Sequence, residues 1–171
     1  FYTIRKLMLT NLKIARHISG QTFPLAMAVR KDLPLLVSAL DKALASITPE
    51  EHWNIRTRWI GVGTSEGSRK QVSLTSEEQT FTESHPPLVF SEVNWKPLSI
   101  INNSSSFDGI IADYLNIITE RSGLTFSFQK SDTWPDVIQK YTDQEIAVIP
   151  ALTEDDEVGR KILLSDPYIT F

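Results

Sequence analysis

The chain has 171 residues, 41% hydrophobic, 22% charged and 9% aromatic, which excludes disordered, collagen-like and low-complexity classes. It has no cysteine, so a disulfide framework, a zinc–thiolate site and a cysteine nucleophile are excluded too. The net charge of −4 conceals a split, with 11 Lys/Arg against 7 Asp/Glu in residues 1–80 and 6 against 14 in residues 81–171, which suggests two units of different origin. The basic half has no Arg/Lys stripe interleaved with stacking aromatics, so no nucleic-acid partner is expected. No apolar run approaches the roughly 20 residues of a membrane span, and no signal-peptide pattern opens the chain.

In chain order, Thr3–Ile18 alternates loosely and reads as one or two strands, and the apolar run 21–29 has strand character. Asp32 is the expected N-cap of a helix over 34–47, with Pro34 near its first position and Leu36, Leu40 and Leu44 on one stripe. That stripe needs a partner, either the second unit or another copy of the chain. Thr48-Pro-Glu-Glu51 opens a second helix with cap, first-turn proline and capping-box glutamate, and Gly61 closes it. Residues 61–80 are rich in Gly, Ser, Thr and charge and read as an exposed connection. The glycines of Gly61–Gly67 follow a helix and open a polar stretch, so they read as helix termination rather than a cofactor loop; no cofactor is expected.

From His85 the pattern changes. Leu88–Val93 reads as a strand, Pro97–Ile101 as a short return and Asn102–Gly109 as a turn-rich loop. Ile110 to Ile118 give a helix ending at Gly123, and Leu124, Phe126 and Phe128 alternate as a half-buried strand. A short helix with Val137, Ile138 and Tyr141 precedes a fully apolar strand, Ile146–Ile149. This alternation predicts an α/β fold, a mostly parallel sheet with helices on both faces, whose ligands bind beyond the strands' carboxyl ends. Those ends fall near 92–97, 130–134 and 150–153. Trp59 and Trp134 read as core anchors, while Trp95 is either a pocket wall or a packing residue. His17, His52 and His85 lie in separate segments, with no partner at ligand spacing. Glu154–Glu157 follows Thr153 and reads as a capped helix start rather than a metal cluster; no metal is expected.

Leu88-Val-Phe-Ser-Glu-Val-Asn-Trp95-Lys-Pro97, Phe107-Asp-Gly-Ile-Ile-Ala-Asp113, Gly123-Leu-Thr-Phe126 and Leu164-Ser-Asp-Pro-Tyr168 together resemble the opening of a type 2 periplasmic solute-binding, or Venus-flytrap, domain. Phe23–Arg30, Leu33–Leu36, Leu40–Glu51 and Ile55–Trp59 resemble the closing helices of the same fold. An end followed by a beginning is similar to the tandem flytraps of BvgS/EvgS-type hybrid sensor histidine kinases. The resemblance implies that residues 1–60 close a first flytrap, 61–85 link, and 86–171 form the first lobe of a second. It further implies a ligand-sensing segment without catalysis of its own, on the periplasmic side of a bacterial inner membrane. Its partners would be a small carboxylate or amino-acid-like ligand, other flytraps of the same chain, and a second copy in a homodimeric parent. A solute receptor for an ABC-type transporter and the flytrap part of a cell-wall lytic enzyme are the alternatives.

In amino-acid-binding members of that family a ring stacks on the ligand, a Ser/Thr hydroxyl binds its carboxylate and an arginine five residues on clamps it. Trp95 and Thr153 match the first two positions. Val158 stands where the arginine belongs, and Arg160 lies two residues further on. Gln144-Glu-Ile-Ala147 also departs from the usual Gly-x-Ile-Asp. The implied ligand residues are therefore Trp95, Thr153 and Arg160, in an altered pocket.

Overall fold

The computed structural model describes residues 24–60, 72–103, 106–153 and 162–170. The readings of Thr3–Ile18, of the glycines at 61–67 and of the acidic run 154–157 lie outside these residues. The apolar run after Phe23 is strand β1 (Pro24–Val29), buried from Leu25 onward. Helices α1 (Pro34–Ala45) and α2 (Pro49–Ile60) follow. The Asp32 cap is not made: Leu33 holds the cap position without a side-chain bond, because Arg30 binds the Asp32 carboxylate at 2.9 and 3.1 Å. The α2 box forms as expected, with Glu51 accepting from the Thr48 amide at 2.8 Å and the Glu51 amide donating to the Thr48 hydroxyl at 3.3 Å.

The stretch read as a connection holds a helix, α3 (Ser76–Ser84). A reciprocal Thr75–Glu78 capping box starts it. Glu78 is buried against α1, where Ser38 and Lys42 bond its carboxylate. These bonds hold it at a pKa of about 2. A polar anchor thus docks a helix that lacks an apolar stripe.

Strand β2 (Leu88–Glu92) begins the second unit. The expected loop at 102–109 is instead half of a hairpin, β3 (Ile100–Asn103) with β4 (Ser106–Asp108), antiparallel with Ile100 opposite Asp108. Its arms are short and the sequence around them is rich in Asn and Ser, too polar to signal strands. Helix α4 (Ile110–Ser122) ends at Gly123, whose φ of 76° supplies the left-handed cap. Strand β5 (Phe126–Lys130), helix α5 (Trp134–Thr142) and strand β6 (Val148–Leu152) complete the alternation, β6 starting two residues and ending three residues later than expected. Two short strands close the chain, β7 (Leu163–Leu164) and β8 (Ile169–Thr170).

The sheet order is β5-β2-β6-β1-β7, with β8 also on β1. Strand β2 is parallel to both neighbours, from Leu88 opposite Phe126 to Glu92 opposite Lys130, and with Phe90 opposite Val148. β1 alone is reversed, antiparallel to β6, β7 and β8. The other strands share one direction, so the sheet is mostly parallel. Period-two alternation, interrupted in β6 where the register with β1 shifts between Ala26 and Ala28, divides its residues between two cores. Leu25, Met27, Val29, Leu88 and Phe90 face α1 and α4; Ala28, Ile149 and Leu152 face Val137 of α5. From β2 the chain steps outward to β5, then back past β2 to β6. With right-handed crossovers, opposite steps put α4 and α5 on opposite faces. The α/β three-layer lobe is the expected one.

The α1 stripe finds its partner within the chain. Leu36 and Leu40 are fully buried, and Leu44 nearly so. Polar contacts fasten the same junction: Arg121 of α4 bonds the Ser46 hydroxyl at 2.9 Å and pairs with Glu51. Asp113 receives the Arg58 guanidinium and the Trp59 indole N–H, each at 2.7 Å. Residues 24–60 are therefore built into the lobe.

Candidate functional site

A sheet whose crossovers run both ways leaves a crevice outside the carboxyl ends of the strands where the direction switches. Here that point lies between β2 and β6. The segment after β2 carries Trp95, and the residue after β6 is Thr153. Trp95 is 51% exposed, unlike the half-buried Trp59 and Trp134.

The Trp95 loop is held from two directions. Ser99, fully buried, donates its hydroxyl to the Val93 carbonyl and accepts from the Trp95 amide at 3.0 Å; the backbones of 95 and 99 also bond reciprocally at 3.0 and 2.9 Å. The first turn of α4 grips the same loop, Ile110 and Ile111 donating to the Pro97 and Leu98 carbonyls at 3.1 and 3.0 Å. That grip requires Gly109. Its φ is +114°, and a Cβ there would stand 2.6 Å from the Leu98 oxygen and 2.8 Å from that of Pro97. Gly109→Ala should cost about 2 kcal/mol and free the Trp95 loop. Urea denaturation and the NMR signal of the Trp95 indole N–H check both parts.

Beneath the loop lies Glu92, the last residue of β2. It is 1% exposed, with Oε1 accepting from the Val93 amide at 2.9 Å and Oε2 unpartnered among the described residues. Burial raises its pKa to about 8, against the pull of backbone bonds from Val93 and Ala151. The carboxyl is thus mainly neutral at pH 7, able to donate as well as accept. Tyr168 shares this space, donating to the Pro150 carbonyl at 2.8 Å, and burial with Glu92 nearby pushes its hydroxyl well above 10. Tyr168 packs edge-on against Tyr114, whose hydroxyl lies 2.6 Å from His52 Nδ1. His52 is therefore a bonded, partly buried side chain, its pKa lowered first by burial.

On the other side of β2, the Ser91 hydroxyl donates to the Gln129 carbonyl and accepts from the Ser131 hydroxyl, both at 2.7 Å. Lys140 reaches back from α5 to Ser131 at 2.9 Å and to the Lys130 carbonyl at 2.7 Å. These bonds lace the ends of β2 and β5 together, so the platform is rigid where the ligand face should be. The Ser165–Tyr168 element is seated on β1: the Met27 amide donates to the Ser165 hydroxyl at 3.0 Å, and the Tyr168 amide to the Leu25 carbonyl at 3.1 Å.

Of the three residues expected to bind ligand, Trp95 and Thr153 follow adjacent parallel strands at the same end of the sheet, and Arg160 lies outside the described residues. Glu92 was not among them. Its signal was present: Leu88, Phe90 and Glu92 share one strand face by alternation, and the first two are core. Among the described residues no group of three His, Asp or Glu could hold a metal ion, and no helix is long and apolar enough to cross a membrane.

Residues 88–171 match the family of bacterial extracellular solute-binding proteins, family 3. The match starts at the first residue of β2. The chain is 30% identical over 99 residues to the sensor protein EvgS of Escherichia coli K12, a stretch covering 57% of this chain and 8% of EvgS. It is 27% identical over 152 residues to the virulence sensor protein BvgS of Bordetella pertussis, covering 88% of this chain and 12% of BvgS. The chain thus spans about an eighth or less of these relatives. No solved structure matches it significantly. The family's extracellular character assigns the domain to the extracytoplasmic side and to small-molecule binding rather than catalysis. Strand order, helix placement and family match agree: residues 88–171 belong to the family 3 solute-binding proteins, as a flytrap domain of the BvgS/EvgS type.

Proposed function

We propose that the chain is a ligand-sensing segment of a membrane-bound hybrid sensor histidine kinase, on the periplasmic side of a bacterial inner membrane. In that parent, residues 1–60 would end one flytrap, 61–85 link, and 86–171 supply the first lobe of the next; within this chain residues 24–60 complete that lobe's sheet themselves. Ligand-dependent closure of that flytrap would pass a signal to the membrane within a homodimeric parent. The observation that carries this reading is that the exposed Trp95 and Thr153 follow the two parallel strands that flank the switch point of a family 3 lobe. The BvgS match supports the tandem arrangement: 152 residues cannot be confined to 88–171, so the likeness takes in part of the upstream segment.

In this proposal the ligand is a small carboxylate or amino-acid-like molecule. The Trp95 indole stacks on it, the Thr153 hydroxyl donates to its carboxylate, and Arg160 grips that carboxylate with two hydrogen bonds. A single lobe leaves the ligand half in water, so binding to this chain alone is expected to be millimolar or undetectable, and tighter where both lobes are present. Calorimetry on a longer chain carrying both lobes, with a panel of small carboxylates, provides the test. Trp95→Ala and Arg160→Ala should each weaken binding about tenfold or more. If a ligand binds and neither substitution weakens it, the pocket assignment is wrong and Trp95 is a surface residue only.

A further inference from the structure

A cleft of about 460 Å³ opens on the flank of the lobe, between α4 and strand β5, away from the strand-end site. Three phenyl rings there stay only half-buried: Phe107 from the β3–β4 hairpin, and Phe126 and Phe128 from β5. Behind them stands the buried Phe90. The rings form a connected box. Phe90 and Phe107 meet edge-on at 5.0 Å, Phe107 and Phe128 lie tilted at 5.0 Å, and Phe90 and Phe128 at 5.5 Å. The rings meet one another edge-on and tilted, the geometries in which a further aromatic ring also packs well.

The lining contains no charged side chain. Its rim carries Asn116, Thr119 and Thr125, polar groups able to donate and accept at the mouth. A chamber of this size matches ordinary small-molecule pockets. Nine described residues line it, far fewer than the roughly 20–30 a side that a stable protein interface engages. A second copy of the chain is therefore a poor occupant, and an ion would face uncompensated burial. We propose that this cleft binds a small neutral aromatic molecule, of one or two rings with a single polar group, stacked in the Phe107–Phe128 box with that group toward Asn116 and Thr119. The inference does not depend on the strand-end site.

The test is an amide NMR titration of the whole chain with indole, benzyl alcohol, cyclohexylmethanol and benzoate. Indole and benzyl alcohol should shift Phe107, Asn116 and Phe128 saturably, in the millimolar range or tighter. The saturated and the charged analogues should each bind about tenfold more weakly or not at all. Asn116 is exposed on α4, so Asn116→Trp should close the mouth without unfolding the helix and should abolish the indole shifts. Thr119→Trp serves where Asn116→Trp fails to fold. Trp95→Ala should leave indole binding unchanged. The proposal is overturned by absence of saturable shifts up to the solubility limit, or by equal binding of cyclohexylmethanol. It also fails if the indole shifts persist in a folded mouth-blocked variant, or if the same signals move on raising protein concentration alone.

Discussion

Glu92→Gln should make the chain more stable by about 3 kcal/mol at pH 7, and should flatten its stability between pH 5 and 8. The folded chain keeps the Glu92 proton up to about pH 8, whereas the unfolded chain releases it near the ordinary value of 4.5. Across that window the unfolded state binds fewer protons, so stability falls as pH rises and levels off above the folded pKa. At pH 7 the gap is about 2.5 pH units at 1.36 kcal/mol each. Glutamine has no proton to lose, and its amide can still accept from Val93. Urea midpoints measured at intervals from pH 5 to 9 for both proteins provide the check. Parallel curves would mean that Glu92 is charged in the folded chain and finds a partner in water.

Glu78→Ala acts in the opposite sense. It should cost about 3 kcal/mol, because the substitution leaves Lys42 and Ser38 without their acceptor and undoes the capping box of α3 in one step. The Lys42 side chain is 36% exposed, so part of the loss is recovered by water. Hydrogen exchange should show the amides of 76–84 losing protection before those of the sheet. The pH dependence has the reverse sign to that of Glu92. A carboxylate held at about 2 contributes stability that is fully present above 4.5 and is lost as pH falls toward 2. In Glu78→Ala that acid-side loss should shrink.

These two glutamates also mark where sequence reading stops. Helix α1 and strand β5 were legible because Leu36, Leu40 and Leu44 recur at helical spacing and Phe126 and Phe128 at strand spacing. Helix α3 has no such stripe; its Thr75–Glu78 box was readable, but its docking depends on Lys42, which lies far off in sequence. Trp95 and Thr153 could be placed because they follow strands whose order can be reasoned out. Alternation puts Glu92 on the core face with Leu88 and Phe90, but at a strand end that face can still meet water, and the packing of Tyr168 and Ala151 around it is what excludes it. The hairpin at 100–108 was hidden by short arms and a polar, serine-rich sequence. Strand β1 was foreseen as a strand, yet its place between β6 and β7 was not, since nothing local names so distant a neighbour.

The position of β1 has a consequence for how the chain is made. Its Met27 amide bonds a serine 138 residues further on, and its ladders run to residues 148–152, 163–164 and 169–170. During synthesis this apolar segment emerges well before the strands it pairs with in this structure. Closing so long a loop is entropically costly and slow. Until then the segment is an unpaired strand of the kind that seeks other chains. The amphipathic helix that follows, α1, is local and can form early, but its stripe also waits for α4. The lobe should therefore be most prone to aggregation while its last thirty or so residues are still missing, and holding the nascent chain apart from its copies should matter more for yield than any single substitution on its surface.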